Sequence, residues 1–221
     1  MTSDAAPDPR AFRFAAEQAV EIEVNGGLLA TLMCTPRDLD VLALGHLLTR
    51  GAISSPGDVA SLRVDGDAGR VTIRCTPAKP AVRPLRRGET FAIASIHRWA
   101  LEMFDRAVLR RETGGMHSAG IADRDGLRWI YEDVGRHNAV DKAIGRGLVE
   151  RVNFSRCCLI SSGRLAAEMV VKVVAAGIPV FASRSIPTTA AYEIAVERGL
   201  TMIGRITSES PIVYTGRGRV A

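Results

Sequence analysis

The sequence predicts an α/β protein: a mostly parallel sheet with flanking helices, preceded by a smaller β-rich subdomain. After residue 129, an apolar run, a polar turn and a helical pattern follow one another three times. Such repeats are typical of parallel strands, because each helix carries the chain back across the sheet. Before residue 76, short alternating segments and glycine turns dominate instead. The change of pattern separates the two parts.

The start of the chain predicts a tail followed by a hairpin. Residues 1–10 are polar and contain prolines, without the apolar stretch of a signal peptide, so we expect residues 1–18 to form a disordered tail. Residues 19–75 form the predicted β-rich subdomain. Within it, Asn25 and Gly26 separate two apolar runs and predict a tight hairpin turn.

A helix and a second strand pair complete this subdomain. Thr35 is the expected helix cap, and Pro36 is expected at the first helical position. Residues 60–64 and 71–75 are expected to pair as strands around a glycine turn.

Residues 76–90 interrupt both patterns. They hold three prolines, a glycine and four basic residues. We predict a basic linker or mobile loop here, with residues 91–221 as the α/β core. A basic flap over an anionic ligand is the alternative interpretation of the same segment.

Composition narrows the classes of partner. The net charge of +5 suits an anionic ligand such as a nucleotide, and it equally suits an ordinary arginine-rich surface. Aromatic residues make up 5% of the chain and do not alternate with basic ones, so a nucleic-acid partner is not expected. No apolar run approaches the roughly 18 residues of a membrane span. The sequence therefore predicts a cytoplasmic protein without a membrane partner.

The cysteines indicate neither a disulfide framework nor a metal site. The chain has four, Cys34, Cys75, Cys157 and Cys158, and no two are separated by two residues. Cys157 and Cys158 are adjacent on a predicted strand, so their side chains should point to opposite faces. We expect no bound metal and, for most of the four, ordinary packed thiols.

Three polar turns follow the predicted core strands. They have the sequences EDVGRH (132–137), SSGR (161–164) and SRS (183–185), and each precedes a predicted helix. Helix N-termini bind anions, and arginines add charge-assisted hydrogen bonds to phosphate. Helix capping alone would explain the serines, but it explains the arginines less well. The turns therefore predict a site for a nucleotide or another phosphate-bearing ligand.

Other chemistries have weaker support. The sequence has no dinucleotide-binding glycine motif, no phosphate-binding loop of the Walker type and no nucleophile elbow, and it lacks the zinc ligands of a deaminase. His137 with Asp133, joined by His117, could form an acid/base pair of a zinc-free hydrolase. The alternative is a structural hydrogen-bond network around the turn.

Several strings together resemble a known family. TGGMHSA (113–119), EDVGRHNAVDK (132–142), SSGR (161–164) with the following glutamate, and SRS (183–185) resemble formate dehydrogenase accessory proteins of the FdhD/NarQ type. The resemblance extends from about residue 22 to residue 214. It implies a cytidine-deaminase-like core without zinc, in a cytoplasmic homodimer. It further implies binding of the bis-molybdopterin guanine dinucleotide cofactor, with Mo or W, and GDP or GMP as a partial ligand.

The resemblance also implies partners and site residues. The partners are the formate dehydrogenase catalytic subunit and a cysteine desulfurase, whose persulfide sulfur the family passes on through a C-x-x-C pair. The expected cofactor-binding residues lie on the strand-end turns and on a loop near the C-terminus: Gly115, His117, Asp133, Gly135, Arg136, His137, Ser162, Gly163, Arg164, Ser183, Arg184, Ser185 and Arg205.

The chain departs from the family pattern in two places. The family's cysteine pair falls in the segment corresponding to residues 76–90, which has no cysteine; Cys75 at its edge is single. In the loop 205–210, Arg205 is the one cation, and Glu209 would repel phosphate. We therefore expect a chaperone that binds the cofactor and delivers it to formate dehydrogenase. The alternatives are a sulfurtransferase using Cys75 and, third, the hydrolase, so enzymatic activity is left open.

Overall fold

The computed structural model describes residues 13–78, 85 and 89–221. The first twelve residues of the predicted tail and residues 79–84 and 86–88 of the predicted linker lie outside the described residues. The described strands form a four-stranded sheet of order β2-β1-β4-β3 and a six-stranded sheet of order β10-β9-β8-β7-β5-β6. No helix in the described ranges has the length and apolarity needed to cross a membrane.

The first sheet belongs to the N-terminal part of the chain. Its strands are β1 (Gln18–Val24), β2 (Gly27–Cys34), β3 (Val59–Asp65) and β4 (Arg70–Cys75). β1 and β2 pair antiparallel across Asn25 and Gly26, whose φ angles of 52° and 88° are both left-handed. Two consecutive left-handed residues match the right-handed twist of a two-residue hairpin, so this predicted turn is confirmed.

Helix α1 (Leu39–Thr49) begins later than predicted. Thr35 does not cap it, because the Thr35 amide donates to the Asp133 carboxylate (3.1 Å) and its hydroxyl accepts from the Val134 amide (3.2 Å). The helix starts after Asp38, which is left-handed with φ 54°. The predicted start was therefore wrong: a contact with a residue almost a hundred positions away overrides the local capping signal.

The second sheet is mixed and not mostly parallel as predicted, because three of its five described strand pairings are antiparallel. Its strands are β5 (His117–Asp123), β6 (Gly126–Asp133), β7 (Cys158–Ser161), β8 (Val180–Ser183), β9 (Thr201–Gly204) and β10 (Ile212–Thr215). β7, β8 and β9 are parallel, whereas β5 runs antiparallel to both β6 and β7, and β10 runs antiparallel to β9. The carboxyl ends of β6, β7, β8 and β9 therefore lie at the same edge as the start of β5.

Helices cover both faces of this sheet. The helices are α2 (Ile93–Arg106), α3 (Val108–Thr113), α4 (Arg136–Val149), α5 (Ala167–Ala175) and α6 (Thr189–Arg198). Buried side chains of α4, α5 and α6 share one apolar cluster with α1 and the first sheet, and those of α2 form another cluster on the opposite face. Cys157 lies in the first cluster and Cys158 in the second, as their adjacency on the chain predicts.

One predicted helix is divided into two. Apolar residues recur at helical spacing over residues 95–111 and predict one continuous helix. The chain instead turns at Ala107 (ψ 83°) between α2 and α3. The Glu132 carboxylate accepts hydrogen bonds from the amides of Leu109 (2.9 Å) and Arg110 (2.7 Å). It thereby satisfies free donors in the first turn of α3 and stabilises a new helix start.

Helices α1 and α4 cross with their backbones in direct contact. A Cβ atom on Gly45 would lie 1.8 Å from the Asp141 carbonyl oxygen, and one on Gly145 would lie 1.8 Å from the Val41 carbonyl oxygen. Only glycine permits this approach. The crossing packs the N-terminal part against the helix that begins at the EDVGRH turn.

Candidate functional site

The polar turns predicted from the sequence are neighbours in space. The Ser162 amide donates to the Ser118 carbonyl (2.9 Å), and the Arg184 amide donates to the Ser161 carbonyl (3.3 Å). The Ile206 amide continues this series by donating to the Ser183 carbonyl (3.0 Å). These bonds join the turns after β7, β8 and β9 to the start of β5 along one edge of the sheet.

Arg136 lies at this edge, beside the turn after β7. It is the first residue of α4, directly after Gly135, and its side chain lies against Gly163. A Cβ atom at Gly163 would lie 2.9 Å from the Arg136 Cβ and 3.1 Å from its Cδ, so glycine makes room for the arginine. The Arg136 Nε is buried without a hydrogen-bond partner in the described part of the chain. Because a buried donor without a partner is unfavourable, this geometry suits an anionic ligand.

His117 and Ser162 form a hydrogen-bonded pair beside Arg136. The Ser162 Oγ accepts from the Ser118 amide (2.9 Å) and lies 3.2 Å from the His117 Nδ1. Burial, followed by the charges of Arg136 and Arg110, lowers the pKa of His117 below its usual 6.5. The imidazole is therefore neutral at pH 7 and can contribute hydrogen bonds to a ligand.

His137 faces away from Asp133. Its Nε2 lies 3.2 Å from the exposed Glu168 carboxylate, and burial followed by Arg136 lowers its pKa. Asp133 is fully buried, with its carboxylate 2.7 Å from the Lys142 Nζ and within hydrogen-bond distance of the Asn138 side chain. Of the two interpretations of His137 and Asp133, the structure supports the hydrogen-bond network around the turn and not the acid/base pair, because Asp133 pairs with Lys142 and accepts from the Gly135 amide.

Asp133 and Ser183 stabilise the edge from inside. Besides its buried ion pair, Asp133 accepts from the Gly135 amide (2.8 Å) and thereby holds the turn before Arg136. Ser183 is fully buried; its hydroxyl donates to the Gly163 carbonyl (2.5 Å) and accepts from the Ser185 amide (3.0 Å). Both were expected to bind cofactor directly. The structure instead shows them as supports of the turns, because their oxygens already have partners inside the protein.

The remaining candidates lie on the turns of this edge and on the loops beside it. Arg164, Arg184 and Arg205 are exposed, as is Gly115, and Ser185 is half-buried. Arg205 is left-handed (φ 54°), and its amide donates to the Ser185 carbonyl (3.1 Å). This contact joins the altered C-terminal loop to the turn after β8.

Two residues near this edge were not identified from the sequence. Arg110 donates to the Met116 carbonyl (2.9 Å), and its guanidinium lies 5.6 Å from the centre of the Phe104 ring. The Arg184 guanidinium lies at the same distance from that ring. The sequence pattern places Arg110 and Phe104 on one long amphipathic helix, where an aromatic residue and a charged residue are ordinary. The break at Ala107, which the pattern does not predict, puts them on two separate helices.

The thiols are all buried. Cys75 ends β4, where the Asn25 side chain donates to its carbonyl (2.9 Å) and accepts from its amide (3.0 Å). Burial, followed by Asp58, raises the pKa of Cys75. Burial also raises the pKa of Cys34 to about 11 and that of Cys157 to about 12, and it raises that of Cys158 further. Since the thiolate is the reactive form, none of these environments activates a cysteine.

Two clefts lie at the opposite end of the sheet. They flank the turn between β5 and β6, with volumes of about 310 and 560 Å³. Neither is lined by the strand-end turns. Within the described ranges, no three His, Cys, Asp or Glu side chains are grouped so that they could hold a metal ion.

Comparison with known proteins assigns the chain to a family. The model of the FdhD/NarQ family matches residues 15–88 and 77–221. A sulfur carrier protein FdhD from Methanothermobacter thermautotrophicus is 32% identical over 220 residues, covering 91% of this chain and 88% of the relative. The protein of that name from Streptomyces coelicolor is 33% identical over 267 residues, covering 99% and 92%.

A solved structure has the same fold. The crystal structure of a protein assigned as a formate dehydrogenase accessory protein, from Desulfotalea psychrophila, superposes with a TM-score of 0.84 at 27% identity. The match covers 94% of this chain and 90% of that chain. The family model and the relatives agree over nearly the whole sequence. The chain belongs to the FdhD/NarQ family.

Proposed function

We propose that this chain is an accessory protein of formate dehydrogenase that acts in sulfur delivery and binds a phosphate-bearing cofactor along the strand-end turns. The observation that carries the binding proposal is Arg136, whose buried Nε has no partner among the described residues while Gly163 leaves space for its side chain. The similar solved structure is of a formate dehydrogenase accessory protein, which supports formate dehydrogenase as the partner enzyme. The similar proteins named sulfur carrier protein FdhD support a role in sulfur delivery.

The expected ligand is the bis-molybdopterin guanine dinucleotide cofactor, with Mo or W. Its phosphates suit an edge that carries Arg136 and the exposed Arg164, Arg184 and Arg205. Neutral His117 and the Ser162 hydroxyl add hydrogen bonds without adding charge. When bound, the cofactor supplies the metal that receives sulfur; the residues of this chain bind its phosphates and orient it.

The relatives' names support sulfur transfer more directly than cofactor delivery alone. In the sulfur-transfer role, the Cys75 thiolate would attack the outer sulfur of a persulfide on a cysteine desulfurase. The sulfur–sulfur bond of the donor would break, its cysteine would leave as a thiolate, and Cys75 would carry the new persulfide. Cys75 lies directly before residues 76–90, where the resemblance expects the sulfur-carrying pair. Its raised pKa opposes this step, which makes an assay of the thiol decisive.

The other expected properties accompany this proposal. The family resemblance implies a homodimer in the cytoplasm. It also implies two partners, the catalytic subunit of formate dehydrogenase and a cysteine desulfurase. The zinc-free hydrolase is not proposed, because its acid/base pair is not formed.

A binding experiment tests the site. We expect GDP, titrated by calorimetry at physiological salt, to bind the wild-type protein and to bind Arg136→Ala about tenfold more weakly, since a charge-assisted contact is lost. Arg164→Ala should also weaken binding, whereas Arg63→Ala on exposed β3 is the matched control and should not. Unchanged affinity in both site variants would place the site elsewhere, and no binding by the wild type would reject it.

A sulfur-loading experiment separates the two roles. The protein is incubated with a cysteine desulfurase and cysteine, and peptides are examined by mass spectrometry. A persulfide on Cys75 that disappears in Cys75→Ser, but persists in Cys34→Ser, would establish sulfur carriage. Absence of persulfide from every cysteine, together with GDP binding, would leave cofactor delivery as the role.

A further inference from the structure

The Phe104 ring contacts two guanidinium groups at the sheet edge formed by the strand-end turns. The Arg110 and Arg184 guanidinium carbons each lie 5.6 Å from its centre, which is within the range of cation–π attraction. Arg184 comes from the turn after β8 and Arg110 from α3, so the ring at the end of α2 connects two separate elements. Phe104 itself is half-buried.

The two arginines are held to different degrees. Besides its contact with the ring, Arg110 makes two hydrogen bonds: its guanidinium donates to the Met116 carbonyl, and its backbone amide donates to the Glu132 carboxylate (2.7 Å). The exposed side chain of Arg184 has no carboxylate partner in the parts of the chain that the structure describes. The ring is therefore the contact that restricts where the Arg184 charge lies.

Arg110 lies on the same side as Arg136. Both guanidinium groups act on His117, where they lower the pKa of the imidazole after the larger effect of burial. Three arginines from three elements, α3, α4 and the turn after β8, thus approach one edge. Their mutual repulsion is tolerable when the ring holds two of them and an anion receives all three.

We infer that Phe104 is a positioning residue, which sets Arg184 and Arg110 so that their charges bind a diphosphate group at the strand-end edge. The inference rests on the proposed binding function and adds to it two residues that nothing in the sequence pattern singled out. Phe104 does not touch the ligand in this role; it acts through the arginines.

The test compares ring-removing and ring-keeping variants. In Phe104→Leu, GDP should bind about fivefold more weakly, because a cation–π contact at a partly exposed site is lost. Its affinity should also depend less steeply on salt, since one cation no longer engages the phosphates. Phe104→Tyr keeps the ring and should restore both properties. Leu101→Ala, an exposed apolar residue on the same helix, is the control.

A double variant shows whether Phe104 acts through Arg184. Loss of affinity in Phe104→Leu combined with Arg184→Ala should be smaller than the sum of the two single losses. Should Phe104→Leu not fold, Arg184→Lys tests the same contact, because lysine keeps the charge but not the planar guanidinium. It is expected to weaken GDP binding, and wild-type affinity in Arg184→Lys would overturn the inference.

The outcomes separate this inference from the proposed function. If the wild type binds GDP and Arg136→Ala weakens it, but Phe104→Leu keeps wild-type affinity and salt dependence, the positioning role is rejected and the binding function stands. If the wild type does not bind GDP, both are rejected. A purely structural role for Phe104 would lower the unfolding temperature without changing the salt dependence of GDP binding.

Discussion

Lys142 and Asp133 form an ion pair in the interior of the protein. The Lys142 Nζ lies 2.7 Å from the Asp133 carboxylate, and both side chains are fully buried. The same Nζ donates to the Thr35 carbonyl (3.0 Å), while Asp133 accepts from the Gly135 amide (2.8 Å). One pair thus connects the end of β2, the end of β6 and the start of α4, directly beneath Arg136.

Breaking this pair should destabilise the fold strongly. Lys142→Met leaves the Asp133 carboxylate buried without its counter-charge, so we expect the free energy of unfolding in urea to fall by about 3–5 kcal/mol. The control is Arg146→Met on the same helix, which removes an exposed pair with Glu150 and should cost about 0.3–0.5 kcal/mol. Equal losses in the two variants would show that burial does not matter here.

The crossing of α1 and α4 should not tolerate a side chain. Gly145→Ala would place a Cβ 1.8 Å from the Val41 carbonyl oxygen, so the helices must separate. We expect the free energy of unfolding to fall by about 3 kcal/mol, the upper end for overpacked cores. Gly66→Ala, in an open turn, is the matched control, and an equally stable Gly145→Ala would contradict the backbone contact.

Stability should decrease as the protein is acidified below neutral pH. Burial, followed by Arg136, lowers the pKa of both His117 and His137 in the folded state, whereas the usual value is 6.5. Between the folded and unfolded values the unfolded chain binds more protons, so acid favours unfolding. The stability contribution is complete above the unfolded pKa and is lost as the pH falls through the folded pKa values.

Replacing both histidines tests this dependence. Urea unfolding of His117→Gln combined with His137→Gln, measured between about pH 7.5 and 5.5, should show a shallower loss of stability than the wild type. A double variant with the wild-type slope would assign the dependence to other groups.

The four cysteines should react slowly in the folded protein. Burial raises the pKa of each thiol, to about 11 for Cys34 and about 12 for Cys157. A thiol-specific reagent at neutral pH should therefore label the native protein slowly and all four thiols rapidly after unfolding. Rapid labelling of one native thiol that disappears in Cys75→Ser would instead favour Cys75 as the sulfur carrier.

Local patterns were sufficient for most of the secondary structure. The Asn25–Gly26 hairpin requires only two residues that tolerate left-handed backbone, and the strand–helix repeats follow from hydrophobic periodicity. The failures lie where a distant group intervenes. Asp133 engages Thr35 and prevents it from capping a helix, and Glu132 divides the predicted long helix. Neither interaction can be predicted from the local sequence.

The candidate site likewise has a part that the sequence predicts and a part that depends on distant contacts. Polar residues after predicted strands were sufficient to place Arg136, Ser162 and Arg184 at one edge, because strand ends of one sheet meet there. Sequence position could not show that Asp133 and Ser183 face inward, since side-chain direction at a turn depends on the partners it meets. Arg110 and Phe104 lie near the candidate site only because the helix is broken at Ala107.

The sequence was enough to establish the family, the α/β class and the edge at which the arginines gather, because these depend on periodicity, turn residues and a long specific string. Tertiary structure alone decided which polar side chains are available to a ligand and which support the turns. Burial and pairing assign those roles: Asp133 becomes a support because Lys142 neutralises it inside, and Arg136 remains available because no described carboxylate reaches it.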